Sequence, residues 1–161
     1  MKGNVMQILD YTEHDIPDMI DCIERFIYDV RKGETNAYSF LDMDRNKLYN
    51  YINECRNNPL VFTKVVVKDG KIVGGIQGRL IEYFFSYDKI VVDEILYIDE
   101  GLMSGRTVMR LVQAYVDWAK HMGAKEVMLS TSTQQHLESF TKFVEAQGFE
   151  LVAYGFKKRI D

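Results

Sequence analysis

The 161-residue chain is 47% hydrophobic and 27% charged, with a net charge of −4. That is the size and balance of one globular domain over residues 1–161, with enough apolar material for a full core. The acidic excess, with Lys157-Lys158-Arg159 as a lone basic run, excludes a general nucleic-acid binder. No stretch is long or apolar enough to cross a membrane or to form a signal-peptide core, which predicts a cytoplasmic protein.

Met6 to Tyr11 alternates as a first strand. Thr12 or Asp15 then caps a helix with Pro17 in its first turn, where a missing N–H does no harm. Ile16, Met19, Ile20, Ile23 and Ile27 form its apolar stripe, and His14 at its start has a capping or solvent role. Arg31 to Asp44 is polar and predicts a loop. A second helix follows over Arg45 to Arg56 and buries Leu48, Tyr51, Ile52 and Cys55; Asn57-Asn58-Pro59 stops it. Cys22 and Cys55, each on an apolar helix face, are expected as reduced core residues.

A hairpin comes next. Phe62 to Val67 leads into Lys68-Asp69-Gly70-Lys71, whose Asp-Gly is a strong tight-turn signal, and Ile72 to Phe85 returns. Gly74, Gly75 and Gly78 inside the return strand predict a bulge or a close backbone neighbour. Phe84 and Phe85 are expected to pack in the core or at its rim.

Ile90 to Ile98 reads as a strand, Asp99 to Arg106 as a loop, and a helix runs from about Thr107 to His121. Val108, Leu111, Val112, Tyr115, Ala119 and Met122 give that helix one buried face, and Gly123 supplies its left-handed end. Val127 to Thr131 then forms a strand parallel to the first, which aims the helix N-terminus at that strand's C-terminal edge. A last helix is predicted from Gln135 to Gln147, with Leu137, Phe140, Phe143 and Val144 inward, and Phe149 to Ile160 predicts one or two closing strands.

On generic grounds the strand-to-helix junction is a candidate anion site, although most such junctions bind nothing. Unpaired N–H groups and a partial positive charge meet there, and the small Ser104 and Gly105 let an anion approach the backbone. Arg106 and Arg110 add charge, while Asp99 and Glu100 oppose it. His121 and His136 belong to no metal-ligand spacing, so no metal site is predicted.

At these residues the chain resembles the GNAT family of N-acetyltransferases. The family's motif A is a strand ending in L-Y-V, then P-x-x-R-G-x-G-x-G/A, then a helix. Leu96-Tyr97-Ile98 matches L-Y-V, and counting back from Leu111 and Trp118 puts Met103 on the motif's Arg, Arg106 on its first essential Gly and Val108 on its final Gly/Ala. A phage-type variant, R-G-S-R-x-G-x-R-L, is followed more nearly by Ser104 to Leu111, with Arg106 and Arg110 as its arginines. Val65 to Leu80 resembles the family's V-x-D-G-x-I-V-G hairpin. Phe143 to Phe149 is similar to its L-Y-E-K-x-G-F, with Val144 at the Tyr often used as general acid.

The resemblance covers nearly the whole chain and implies an α/β (α+β) GNAT fold, a mixed, mostly antiparallel sheet with helices on both faces. It implies acetyl-CoA as co-substrate, without metal. Leu96, Tyr97 and Ile98 would meet the pantetheine arm, and Met103, Ser104, Gly105, Arg106, Thr107 and Val108 the pyrophosphate. The acceptor would be an amine of a small molecule or of a protein. Tyr38, Ser39 and Phe40, between the first two helices, and Tyr83 are the candidate acceptor-pocket residues.

Glu94 is the candidate general base, with its neighbour Asp93 on the opposite face of the strand. Tyr154 or Tyr97 would replace the missing tyrosine acid. The altered loop and Val144 leave a second reading open: a catalytically degenerate module of this fold that binds a protein partner. A homodimer through the C-terminal strands is expected from how such domains often associate.

Overall fold

The structure is a computed structural model and describes residues 6–32, 41–131, 137–153 and 155–158. Its elements are β1 (Gln7–Leu9), α1 (Ile16–Lys32), α2 (Arg45–Arg56), β2 (Val61–Lys68), β3 (Lys71–Glu82), β4 (Lys89–Ile98), α3 (Gly105–His121), β5 (Glu126–Val127) and α4 (Leu137–Ala146). The sheet order is β1-β2-β3-β4-β5. Strands β1 to β4 pair antiparallel and β4 pairs with β5 in parallel, so the sheet is mixed and mostly antiparallel, as expected.

Period-2 patterning divides the strands' apolar residues between two helical layers. On one face Ile16, Met19, Ile20 and Cys22 of α1 and Ile52 of α2 pack with Val65 and Ile72. On the other, Val108, Leu111, Val112, Tyr115 and Ala119 of α3 pack against Phe62, Val66, Val73, Ile76, Leu80, Val91 and Ile98. Each such fully buried aliphatic side chain contributes about 1.5–3 kcal/mol. Both cysteines are free and buried.

Local signals act where the sequence places them. Thr12 donates from its N–H (2.6 Å) and its hydroxyl (2.8 Å) to Asp15 ahead of α1. Asp44 caps α2 by accepting from the Lys47 N–H at 2.9 Å. Asp69 and Gly70 both take positive φ, 52° and 76°, the two-residue turn whose twist suits a hairpin.

The β3–β4 ladder shifts register between Gln77 and Gly78. Gln77 pairs with Ile95 and Gly78 with Asp93, so Glu94 is an extra residue, a β-bulge. Gly78 is also the close approach its residue type suggested. A Cβ there would lie 2.4 Å from the Tyr115 ring and 2.9 Å from the Val92 carbonyl oxygen.

Three expectations are corrected. First, the β3–β4 ladder ends at Glu82–Lys89, so Phe84 and Phe85 belong to the hairpin's tip, beyond the helical layers, and are 98% and 72% exposed. They pack on each other (5.1 Å, edge to face), and Phe85 stacks on Tyr83 at 5.2 Å. Second, the fifth strand is shorter than Val127 to Thr131. After Met128 N–H donates to Val91 O at 2.8 Å, the Ser130 N–H turns to the Asp93 carboxylate (2.9 Å) in place of a backbone carbonyl. Third, the described residues of 149–158 form no strand; without a longer β5 to pair with, Leu151, Val152 and Phe156 lie exposed. Among the described residues no helix is long and apolar enough to cross a membrane, and no His/Cys/Asp/Glu group could hold a metal.

Gly78→Ala is expected to lower stability by about 1–3 kcal/mol, because the buried Tyr115 ring and a backbone carbonyl must move to admit one methyl. The urea midpoint reads this out; it should fall at unchanged m-value.

Candidate active site

Alternation puts Gln77 and Arg79 on the face of β3 that meets α2, and the bulge sets Glu94 beside them. Glu94 Oε2 accepts from the Tyr51 hydroxyl (2.6 Å) and from Gln77 Nε2 (2.5 Å), and Oε1 accepts from Arg79 Nε (3.0 Å). Arg79 Nη2 and Gln77 Nε2 also reach the Tyr51 hydroxyl oxygen, at 3.2 and 3.3 Å. Partial burial pushes the Glu94 carboxyl up, but donors Tyr51, Gln77 and Arg79 and the guanidinium charge outweigh it and hold it below 4.5. Burial and the adjacent carboxylate push the Tyr51 phenol well above its usual range. At neutral pH the cluster is therefore a carboxylate, a guanidinium and a protonated phenol.

Asp93 faces the other way, accepting from Ser130 N–H and Oγ (2.9 and 3.1 Å). Burial raises its carboxyl, and the Ser130 hydrogen bonds offset this only in part.

Farther along β4 the strand edge is open. β5 pairs only with Ile90 and Val91, so from Asp93 to Ile98 no strand among the described residues lies along the edge of β4 opposite β3. Leu96 and Ile98 turn their side chains into the α3 core, and Tyr97 turns to α1. The Tyr97 hydroxyl lies 2.9 Å from Asp29 Oδ2 and 3.0 Å from Asp99 Oδ1, and its ring packs 4.9 Å from that of Phe26. Burial and both carboxylates push this phenol far up, so it stays protonated and engaged. Arg25 pairs with Asp99 at 3.0 Å and donates to Ile72 O at 2.8 Å. Of the two acidic residues that oppose an anion at this junction, Asp99 is thus paired in place.

Helix α3 begins two residues earlier than the sequence suggested, because Ser104 is its cap. The Ser104 Oγ accepts from the Thr107 N–H at 3.2 Å and donates to Thr107 Oγ1 at 2.9 Å, and Ser104 O accepts from the Val108 N–H at 3.1 Å. Among the described residues the first-turn amides of Gly105 and Arg106 have no partner. Arg106 and Arg110 are exposed and make no ion pair among those residues. Met103 is exposed, whereas Thr107 and Val108 are buried. The branched Val108 side chain belongs to the core and does not stand over the loop's amides.

The structure thus brings Glu94 together with Tyr51, Gln77 and Arg79, three residues not singled out as a site from sequence. Gln77 and Arg79 carried a usable signal: two polar residues two apart on a central strand, which must find partners on one face. Tyr51 carried none beyond helical spacing. The end of β4 lies about 13 Å along the strand from Glu94, at about 3.3 Å per residue. Tyr83 lies on the far side, roughly 15–20 Å along β3 from the bulge by the same rise, and does not join the cluster. Tyr38, Ser39, Phe40 and Tyr154 lie outside the described residues.

The model of the acetyltransferase (GNAT) family matches residues 23–149, and the chain belongs to that family. No curated protein matches it. It is similar to a predicted acetyltransferase from Clostridium acetobutylicum, solved with acetyl-CoA (TM-score 0.73, 15% identity, 96% of each chain covered). It is similar also to an aminoglycoside N-acetyltransferase in complex with CoA (TM-score 0.72, 15% identity, 99% of this chain and 97% of that one). A third likeness is to glucosamine-6-phosphate N-acetyltransferase from Arabidopsis thaliana (TM-score 0.66, 17% identity, 98% and 99% covered). At these identities the likeness establishes the fold.

The Glu94 cluster has an acid signature. A carboxyl held below 4.5 in the folded chain stabilises it above that pH, and the contribution is lost as pH falls through the folded-state value. The unfolding midpoint of the wild type should therefore drop more steeply below pH 4.5 than that of Glu94→Gln. Parallel curves would show that the carboxylate is not held in this way.

Proposed function

We propose that the chain is an acetyl-CoA-dependent N-acetyltransferase acting on an amine of a small molecule or a protein. The observation that carries this reading is the open edge of β4. It runs from an ionised Glu94 to a helix N-terminus with two amides and two arginines that have no partner among the described residues. These groups fit the co-substrate: the backbone of Leu96 to Ile98 would meet its pantetheine arm. Ser104 to Val108, Gly105 and Arg106 above all, would meet its pyrophosphate, with Met103 at the rim. When bound, acetyl-CoA supplies the thioester acetyl group.

The chain's own part is to prepare the amine. A primary amine is mostly protonated at neutral pH, and Glu94, ionised there, accepts that proton directly or through a water. Relatives of the same fold support an amine acceptor, since they include enzymes named for aminoglycosides and for glucosamine 6-phosphate. Tyr38 and Tyr83 as acceptor contacts, Tyr154 as acid, and a cytoplasmic setting without metal belong to the same proposal. The competing reading, a degenerate partner-binding module, is favoured by one observation. Val144 cannot donate a proton, and Tyr97, which could, is committed to Asp29 and Asp99.

Calorimetric titration with acetyl-CoA separates the two. Saturable binding competed by CoA is expected, and Arg106→Glu should weaken it about tenfold, or about 1.4 kcal/mol. Unchanged affinity in that variant would sink the proposed phosphate site. Glu94→Gln should bind acetyl-CoA as the wild type does and lose acetyl transfer to primary amines; transfer at the wild-type rate would remove Glu94 from the chemistry.

A further inference from the structure

An ionised carboxylate offers about four lone-pair directions, and the fold occupies three of those on Glu94. Tyr51 and Gln77 take both on Oε2, and Arg79 takes one on Oε1. The donors are themselves fixed. The Tyr51 oxygen faces Arg79 Nη2 and Gln77 Nε2, so its one proton has to go to Glu94. The Gln77 amide is oriented from behind, because its Oε1 accepts from the Thr63 hydroxyl at 3.0 Å. The Glu94 side chain nevertheless remains 29% exposed, so the carboxylate is not sealed off.

We infer that Tyr51, Gln77 and Arg79 are positioning residues that hold Glu94 as an anion in one orientation, with a single acceptor direction left for an N–H of the amine or for a water it holds. The inference rests on the acetyltransferase reading above and deepens it. Three anchors on two elements remove the rotamer freedom a bulged strand residue would otherwise keep, so the proton acceptor is placed before substrate arrives. The charge balance matters too. With Arg79 adjacent the cluster carries no net charge, so it gives little electrostatic reward for keeping the incoming amine protonated.

The charged and titratable groups around Glu94 are few: Tyr51 and Cys55 from α2, Arg79 from β3 and Asp93 beside it on β4. Tyr115 of α3 stands on the opposite face. Burial raises the Cys55 thiol, and the raised phenols of Tyr51 and Tyr115 stay neutral, so these three do not compete for a proton near neutrality; Asp93, also raised by burial, faces Ser130 on the other side of the strand. Arg79 is the one positive charge in the set, and its removal should be felt directly at Glu94.

The test uses the full chain labelled with 13C-glutamate, the Glu94 carboxyl being assigned by its loss in Glu94→Gln. Its midpoint should lie below 4.5 in the wild type and rise by about one to three pH units in Arg79→Met, with smaller rises in Arg79→Lys and Tyr51→Phe. In the same variants the acid limb of kcat/KM for transfer from acetyl-CoA to a panel of primary amines, corrected for the amine's own ionisation, should move up with the carboxyl. KM for acetyl-CoA should stay unchanged.

A midpoint that stays put in Arg79→Met overturns the inference. So does a midpoint that moves while the acid limb does not, since the cluster would then only tie α2 to the sheet. Arg79→Lys keeps a charge and one donor, and decides the question if Arg79→Met does not fold. A wild-type chain that fails to bind acetyl-CoA would remove the acetyltransferase reading and this role with it. Binding and transfer with an unmoved limb would remove only the role.

Discussion

The site depends on one extra residue. Glu94 has no partner of its own in the β3–β4 ladder, and the strand bends to accommodate it. Asp93 then serves the β5 side through Ser130 while Glu94 serves the α2 side through Tyr51, Gln77 and Arg79. Beyond the bulge, β5 no longer follows β4, and among the described residues the edge from Asp93 to Ile98 has no neighbouring strand. Gly78 opposite makes this possible, because any side chain there would collide with Tyr115, which anchors α3 from beneath and donates to Met128 O at 3.0 Å. One irregularity in the sheet thus places a carboxylate, opens an edge and seats the helix that ends at that edge.

Two guanidinium–carboxylate pairs hold an acidic residue on β4 and another just past its end. Arg79 holds Glu94, and Arg25 holds Asp99 just past the strand's end. Ion pairs of this kind on an open surface are worth little, about 0–1 kcal/mol. These two are largely covered, and each joins groups from different elements through further hydrogen bonds, so their main effect is on geometry. Their effect on the local field is opposite at the two ends. Arg25 cancels a negative charge near the proposed anion site, while Arg79 keeps the proposed proton acceptor ionised.

Much of the fold was legible because its signals are local. The spacing in α3 predicts its buried face, Asp69-Gly70 predicts the turn, and the glycines of β3 predict a bulge or a close neighbour, of which the structure has both. The elements that departed from expectation are those whose state depends on distant partners. Phe84 and Phe85 carry strand-like apolar character, but whether it is buried depends on where the β4 ladder ends, and it ends before them. Residues 149–158 alternate as strands do, yet a strand needs an edge to join, and β5 stops after two residues. Glu94 was visible as an unexplained charge on a central strand. Its partners were not, because Tyr51 and Glu94 are 43 positions apart and meet only through the packing of α2 on the sheet.

The altered phosphate loop takes on a different meaning once α3 is seen. The motif it resembles places small residues where consecutive amides must face a ligand. Here Ser104 caps the helix, two of its first amides are already spent on Ser104, and Val108 and Thr107 point into the protein. Bulk at those two positions therefore does not intrude on the helix mouth. What remains at the mouth is the pair of amides at Gly105 and Arg106, without partners among the described residues, with two exposed arginine side chains. Set beside the motif it resembles, the loop offers fewer amides and more formal charge. Hydrogen-bond geometry is short-ranged and unforgiving, whereas a guanidinium on a flexible stem reaches a phosphate over several ångströms. In the proposed site, tolerance of an imperfect loop would come from Arg106 and Arg110, helped by the pairing of Asp99 with Arg25, while Glu100 still opposes the anion.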